Sequence, residues 1–323
     1  MLHYGLLPRH PDWAPFLARL RYVVLDELHA YRGVFGTHVA LILRRLLRLA
    51  RHYGASPQVL AASATIANAR EHAEALTGLP FEELKAQVAR TERELLVLLP
   101  KPLDRRGERR RSPLLEAAYL ARRLAEAGLK GLVFAGARKS AELIARYAAH
   151  PLVRPYRAGY TARERRRLEA DLKEGRVRVL VSTSALELGV DIGELDAVVL
   201  VGYPGSTAAF WQRAGRAGRG ERRALLVYIP REDPMDEYFL HRPALLLESP
   251  PEEAVADPQN PVLCPLHLHA AAREKPLLAE ELLCPEARAT LKERNGRFFT
   301  PKRNPHREIT LRGLGATFTL RGP

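Results

Sequence analysis

The stretch YVVLDELH, residues 22–29, indicates the fold class of this chain. Its first four residues are apolar or aromatic and two are β-branched, which is typical of a buried strand. The acidic pair and the histidine would then lie at the carboxyl end of that strand, where α/β proteins present catalytic groups. A helical repeat of apolar residues over 39–50 and a second apolar run over 59–62 come next. The pattern predicts a strand, a helix and a strand of one α/β unit.

The rest of the chain divides into three segments. Residues 100–113 are rich in lysine and arginine, and this predicts a basic linker whose charge is simply exposed. Helix and strand patterns alternate over 114–231, which predicts a second parallel sheet covered by helices. Over 232–323 prolines recur and strand runs fade, so we expect a mainly helical accessory region, truncated at its end. The expected fold class is α/β, with two parallel-sheet domains of which the first, 1–99, is incomplete.

The composition favours a folded protein with a polyanionic partner. With 46% hydrophobic and 27% charged residues among 323, the chain resembles neither a disordered nor a fibrous protein. Lysine and arginine number 51 against 37 aspartate and glutamate, and the net charge of +14 favours nucleic acid as the partner. No apolar run has the length that a bilayer requires, and the N-terminus does not have the pattern of a signal peptide, so no membrane partner is expected.

Cysteine usage predicts a reducing, cytoplasmic setting. Cys264 and Cys284 are the two cysteines of the sequence, each followed by proline. They are too few for a disulfide framework and too far apart to form a zinc-ligand pair, so zinc is not predicted.

Asp26 and Glu27 are the candidate catalytic carboxylates. In phosphoryl transfer, one carboxylate helps to hold Mg²⁺ on the phosphates, while a neighbouring acidic group orients and deprotonates the attacking water. We assign the Mg²⁺ role to Asp26, through phosphate or water, and the role of base to Glu27. An acidic pair after a strand is also found as a helix N-terminal charge or a solvated turn.

The string SAT, Ser63, Ala64 and Thr65, follows the second strand run. A helix cap ahead of residues 68–76 would explain Ser63 or Thr65 individually. It would not explain why the string has this order and this spacing from DELH.

The string QRAGRAGR, residues 212–219, is the most specific one in the chain. Guanidinium groups can bind γ-phosphate oxygens and neutralise the charge that develops in the transition state. Arg216 and Arg219 are the candidates for this role. The alternative is a basic helix whose glycines allow close packing.

Two further strings follow predicted strands. SALELGVDIG, residues 184–193, comes after the strand over 177–181, and LVFAGARKS occupies residues 132–140. Hydroxyls such as those of Thr183 and Ser184 suit contacts to nucleic-acid phosphates, because they fix register without reading bases. The alternatives are a capped turn for the first string and a solvated helix start at Arg138 for the second.

This ordered set of strings resembles the core of the superfamily 2 helicases, in which two RecA-like domains close on ATP. The resemblance covers roughly residues 1–230 and implies a role for each matching residue. His29, Gln212, Gly189 and Asp191 would bind the nucleotide or couple to it, and Ser63, Ala64 and Thr65 would link that site to the nucleic-acid groove. Contacts to nucleic acid would come from Arg138, Gly159, Tyr160, Thr183 and Ser184.

A narrower resemblance is carried by DELHAYRGVFGTHVA, residues 26–40, and by SALELGVDIG. These strings are similar to those of the mitomycin repair factor A family of DNA-repair helicases, which are RecQ4-related. The resemblance implies 3′ to 5′ movement on single-stranded DNA.

The sequence departs from that family in two ways. Members carry a P-loop, G-x-x-x-x-G-K-[ST], whose backbone amides and lysine hold the phosphates, whereas no Gly-Lys dipeptide occurs here. The family's C-terminal cysteine cluster, which binds metal, is also missing. We therefore expect an N-terminally truncated motor, the product of a truncated, split or frameshifted gene.

The sequence predicts an ATP-dependent 3′–5′ DNA helicase or translocase that functions in DNA repair. ATP and Mg²⁺ are the expected cofactors, and single-stranded DNA is the expected partner. The alternatives are an RNA helicase, or a non-catalytic nucleic-acid-binding remnant or subunit that needs a separate P-loop chain.

Overall fold

The computed structural model describes residues 1–63, 66–84, 93–104, 109–157, 159–187, 192–218 and 223–311. The chain divides into two compact units. One comprises residues 1–85 and 253–323, and the other residues 86–252. Within the described ranges, no helix is long and apolar enough to cross a membrane.

The N-terminal part of the first unit is built around one parallel strand pair. Its elements are helical turns over Leu2–Leu6 and Leu7–Trp13, α1 (Ala14–Leu17), β1 (Tyr22–Leu25), a 3₁₀ turn over Leu28–Ala30, α2 (Gly33–His52), β2 (Gln58–Ala61) and α3 (Ala69–Thr77). β1 and β2 pair in parallel, with α2 as the crossover between them. The predicted strand over 22–25 and the helix over 39–50 are confirmed.

The strand pair buries one face and exposes the other. Leu25 and the partly buried Val23 and Val59 pack with apolar residues of α2 and α3. On the opposite face, Val24 and Leu60 are 64% and 45% exposed. This alternation follows from the two-residue period of a strand.

The second unit contains a six-stranded parallel sheet. Its elements are β3 (Arg93–Val97), α4 (Pro113–Glu126), β4 (Gly131–Phe134), α5 (Arg138–Ala148), β5 (Val153–Tyr156), α6 (Ala162–Lys173), β6 (Val179–Ser182), a 3₁₀ turn over Ser184–Leu186, β7 (Ala197–Val201), α7 (Thr207–Ala214), β8 (Ala224–Ile229), α8 (Pro234–His241) and α9 (Ala244–Glu248). The strand order is β3-β8-β7-β4-β6-β5.

Both faces of this sheet are covered, as is usual for parallel sheets. Along β7, Val198 and Leu200 belong to one apolar core, which includes Phe210 of α7. Val199 and Val201 belong to the other, which includes residues of α4 and α5. The predicted α/β fold class is confirmed by this sheet and its helices.

The last part of the chain returns to the first unit. Its elements are α10 (Leu263–Glu274), a 3₁₀ turn over Ala279–Glu281, α11 (Pro285–Thr290), β9 (Lys292–Arg294), β10 (Arg297–Phe299) and a 3₁₀ turn over Pro305–Glu308. β9 and β10 form a small antiparallel pair. Cys264 and Cys284 are buried free thiols in an apolar core that also includes Leu41 of α2.

The unit boundaries differ from the predicted segments. β3 lies before residue 99, yet it pairs with β8 and so belongs to the sheet of the second unit. The predicted linker over 100–113 also lies in that unit, where Pro102 and Arg110 form an antiparallel bridge. The predicted accessory region over 232–323 is divided, because α8 and α9 belong to the second unit and residues from 253 onward to the first.

A buried polar network joins α10 to the N-terminal part of the first unit. Arg45 forms a bidentate ion pair with Glu274 of α10, and its Nη1 lies 3.1 Å from His3 Nδ1 and 3.3 Å from His267 Nδ1. Glu274 also contacts His306 Nε2 at 2.9 Å. Because each of these buried side chains has a hydrogen-bond partner, the network can hold together the four segments that carry it without leaving a charge unpaired. Those segments are the N-terminal turns, α2, α10 and the turn over Pro305–Glu308.

Candidate nucleotide and nucleic-acid sites

The DELH turn has an unusual backbone at Glu27. This residue has φ 51° and ψ 50°, the left-handed conformation, which costs an L-residue about 1–2 kcal/mol. Backbone hydrogen bonds hold the turn on both sides, from Leu28 N to Ala62 O at 2.9 Å and from Ala30 N to Glu27 O at 2.8 Å. Backbone strain of this kind clusters at active sites.

His29 connects the turns that follow β1 and β2. Its Nδ1 lies 3.5 Å from Glu27 Oε2 and 3.4 Å from Ser63 Oγ. Asp26 Oδ1 accepts a hydrogen bond of 2.9 Å from the backbone N–H of Glu27. The structure therefore brings together four of the predicted residues, whereas Ala64 and Thr65 lie outside the described residues.

The carboxylates of this turn remain accessible to a ligand. The side chain of Glu27 is 38% exposed, and Asp26 is exposed. Burial, followed by the negative charges of Asp26 and Glu27, raises the pKa of the nearby Tyr31 hydroxyl. Within the described ranges, no group of three or more His, Cys, Asp or Glu residues is arranged to hold a metal ion.

The predicted nucleic-acid contacts of the second unit share one edge of its sheet. Arg138 follows β4, Gly159 and Tyr160 follow β5, and Thr183 and Ser184 follow β6. These strands are parallel neighbours, so the residues that follow them lie at the same carboxyl edge. Arg138 and Ser184 are exposed, and the guanidinium of Arg157 stacks 4.8 Å from the ring centroid of Tyr160.

The QRAGRAGR string begins on α7 and continues beyond it. Arg213 pairs with Glu187 at 2.9 Å and lies 5.4 Å from the Phe134 ring centroid. Arg216 is 5% exposed and donates from Nε and Nη2 to the backbone carbonyl of Glu187, at 3.1 and 2.5 Å. Glu187 therefore joins the SALELGVDIG string to the QRAGRAGR string.

The remaining predicted residues of these two strings are Gly189, Asp191, Arg219 and Gln212. Gly189, Asp191 and Arg219 lie outside the described residues. Gln212 lies on α7 and is partly buried.

Sequence reasoning missed two residues near these strings. Glu187 lies inside a quoted string, but its pairing with Arg213, 26 positions later, has no local signal. Arg231 follows β8, and its Nε would lie 2.1 Å from a Cβ atom built on Gly202, which has φ +81°. A glycine directly after a buried strand was the available signal for such a close approach.

Comparisons with known proteins identify the family. A model described as "DEAD/DEAH box helicase" matches residues 2–95, and one described as "Helicase conserved C-terminal domain" matches residues 115–221. The chain belongs to the superfamily 2 helicases. The predicted family is thereby confirmed, and the two models fall in the order in which the DELH and QRAGRAGR strings occur.

Curated relatives of this helicase chain include bacterial and fungal proteins. It is 40% identical to the uncharacterized ATP-dependent helicase YprA of Bacillus subtilis, over 87% of this chain and 39% of the relative. It is 35% identical to the ATP-dependent helicase hrq1 of Schizosaccharomyces pombe, over 86% of this chain and 28% of the relative. The helicase chain thus spans well under half the length of these relatives.

A solved structure shows the same architecture. The DUF1998 helicase MrfA bound to DNA and AMPPNP matches 97% of the helicase chain, with 37% identity and a TM-score of 0.88. The match covers 46% of the MrfA chain. The predicted resemblance to the mitomycin repair factor A family is therefore supported by structure as well as by sequence.

Proposed function

We propose that this chain is the motor part of an ATP-dependent helicase that moves 3′ to 5′ on single-stranded DNA, in the cytoplasm and in DNA repair. The observation that carries the proposal is the 37% identity, over 97% of the chain, to a helicase solved with DNA and AMPPNP. The polarity and the repair role rest on the family resemblance. A cytoplasmic location fits the two buried free thiols.

Asp26 and Glu27 are suited to the chemistry of ATP hydrolysis. Mg²⁺ prefers oxygen ligands and is usually bound by one or two carboxylates together with substrate phosphates and water. An exposed Asp26 at the carboxyl end of β1 fits this requirement, and the ion would neutralise charge on the phosphates. Glu27 would accept a proton from the attacking water. His29, in contact with both Glu27 and Ser63, would link this step to the SAT string.

Arg216 and Arg219 would stabilise the γ-phosphoryl group as its charge develops. The hydrogen bonds from Arg216 to the carbonyl of Glu187 set the position of its guanidinium relative to the SALELGVDIG string. Gly189 and Asp191 of that string would bind the nucleotide, together with Gln212.

The carboxyl edge of the six-stranded sheet would bind the DNA backbone. Arg138 offers a charged donor, and Thr183 and Ser184 offer hydroxyls next to backbone amides. Tyr160, with Gly159 before it, offers an aromatic ring on which a base can stack. DNA is favoured over RNA by the DNA-bound MrfA structures, which are 36% and 37% identical to the chain.

We further propose that a polypeptide carrying a P-loop covers the exposed face of β1 and β2. Parallel sheets are normally covered on both faces, yet Tyr22, Val24 and Leu60 are 59%, 64% and 45% exposed here. A P-loop half domain would bury these side chains and would supply the phosphate-binding amides of a motif that does not occur in this sequence.

The test is ATP hydrolysis by the purified chain, with and without single-stranded DNA, beside Glu27→Gln and Arg216→Ala variants. Arg122→Ala serves as the control, because Arg122 is exposed and pairs with Glu126 of the same helix. Turnover that both variants abolish would establish a motor that holds phosphate without a P-loop. DNA binding without turnover would support a motor part that needs a separate P-loop. Absence of both activities would contradict the proposal.

A further inference from the structure

A distant carboxylate caps the helix that carries the start of the QRAGRAGR string. Glu252 accepts hydrogen bonds from the backbone N–H groups of Thr207 and Ala208, at 2.5 and 3.0 Å. Ser206 Oγ accepts the next one, from Ala209, at 3.1 Å. These are the N–H groups that a helix leaves without an internal partner, and a negative charge there also interacts favourably with the helix dipole.

These contacts lower the pKa of the Glu252 carboxyl group. Burial raises the pKa of its carboxyl group, but hydrogen bonds from Ala208 and Thr207 lower it by more, so the net shift is downward. These hydrogen bonds favour the ionised carboxylate, which is a strong acceptor.

The helix α7 depends on such contacts for its position. It has eight residues, too few for a helix to be stable by itself. At its C-terminal end, Arg213 is held by Glu187, and Arg216 follows within one turn. Two carboxylates, Glu187 and Glu252, thus fix opposite ends of the segment that presents these arginines.

The chain leaves the second unit directly after Glu252. In the first unit, Ala254 exchanges two hydrogen bonds with the side chain of Asn68, at 2.9 and 3.0 Å, and Val255 O accepts one of 2.7 Å from Gly33 N. Gly33 begins α2, which follows the DELH turn, and Asn68 is the N-cap of α3, which follows the SAT string. Glu252 is therefore the last residue of the second unit, and the hydrogen-bonded residues Ala254 and Val255 follow it in the chain.

We propose that Glu252 is a positioning residue, which sets the placement of Arg213 and Arg216 through α7. The inference rests on the proposed function, in which these arginines belong to the ATP-hydrolysing site. A merely local cap would affect the amides of the first turn and leave the arginines at the far end of the helix unchanged.

The experiment measures phenylglyoxal modification of each arginine by mass spectrometry, in the full chain without DNA or ATP. Glu252→Ala removes the carboxylate, Glu252→Gln weakens it, and Glu248→Gln is the control, since Glu248 is exposed at the end of α9. Loss of a cap weakens a helix by roughly 1 kcal/mol, so we expect Arg213 and Arg216 to react about fivefold to tenfold faster in Glu252→Ala. Glu252→Gln should show a smaller increase and Glu248→Gln none.

Amide hydrogen exchange of α7 gives the second readout. Faster exchange at Thr207 and Ala208, with unchanged modification of Arg213 and Arg216, would overturn the proposal and leave Glu252 as a local cap. If Glu252→Ala does not fold, the milder Glu252→Gln variant decides by the same two measurements. Because neither assay uses DNA or ATP, a negative result leaves the proposed function standing, and loss of ATP turnover is not needed for a positive one.

Discussion

Glu27 shows how one residue combines a proposed chemical role with a strained backbone. Its left-handed conformation is shared by Ala149, at φ 48°, which ends α5. Glycine adopts this conformation without steric cost, but it also makes the unfolded chain more flexible.

Replacing either residue by glycine should therefore stabilise the protein. We expect Glu27→Gly and Ala149→Gly each to raise the free energy of unfolding by about 0.5–1 kcal/mol, measured by urea unfolding. Glu27→Gly should at the same time abolish any ATP hydrolysis, whereas Ala149→Gly should leave it unchanged. A loss of stability in Glu27→Gly alone would show that the backbone at this turn is not strained.

Glu187 and Arg213 allow a second test at a single contact. Their side chains are 14% and 12% exposed, so removal of one partner leaves the other charge largely buried. We expect Glu187→Ala to lower the free energy of unfolding by about 3 kcal/mol. In a double-mutant cycle with Arg213→Ala, the two losses should not add, because the double variant leaves neither charge unpaired. If the two losses in the free energy of unfolding add, the ion pair between Glu187 and Arg213 does not contribute to stability.

At the scale of single residues, local patterns predicted some contacts and could not predict others. The sequence places Asp26, Glu27 and His29 in one turn, and the structure places Ser63 Oγ 3.4 Å from His29 Nδ1. Glu187 and Glu252 were missed, because each acts on residues 20 to 45 positions away and no local pattern marks such a partner.

At the scale of elements, the buried histidines link α2, α10 and the two ends of the described chain. Burial, then the charge of Arg45, lowers the pKa of His3 to about 4. Burial also lowers the pKa values of His38 and His267, which lie 2.9 Å apart. The folded state therefore keeps these rings neutral at a pH where the unfolded chain protonates them.

This difference predicts that acid destabilises the first unit. Because the folded pKa of His3 lies below the unfolded value of about 6.5, its contribution is complete above pH 6.5 and is lost as the pH falls toward 4. For His3 alone the loss should reach about 3 kcal/mol at pH 4. Urea unfolding at pH 7.5 and pH 5 measures this loss of stability. A His241→Gln variant is the control, because His241 is exposed. A pH dependence that His3→Gln leaves unchanged would contradict the assignment.

Element assignment from sequence succeeded where the pattern was local. β1, α2 and the alternating elements of the second sheet follow from apolar periodicity. The pairing of β3, which lies within residues 1–99, with β8 was not predicted, because β8 lies about 130 residues later and strand pairing of that range leaves no mark in a single segment. For the same reason, the return of α10 to pack with α2 was not foreseen.

At the scale of the whole molecule, we propose that ATP chemistry and DNA binding belong to different sets of residues. The net charge of +14 predicts DNA binding that weakens with salt, but it does not say where the strand lies. We propose that the strand lies at the carboxyl ends of the parallel strands in the second unit, where the residues differ from those at the amino ends. Arg138, Tyr160 and Ser184 follow their strands, whereas Lys130, Leu152 and Arg178 precede the same strands.

The most direct measurement is therefore the mapping of photo-crosslinks between the chain and a photoreactive single-stranded DNA. We expect crosslinked peptides that contain Arg138, Tyr160 or Ser184, with yields that fall in an Arg138→Ala variant and persist in Arg122→Ala. Crosslinks concentrated on peptides that contain Lys130, Leu152 or Arg178, or no crosslinks above those of an unrelated basic protein, would contradict the claim that this chain is a DNA-bound helicase motor.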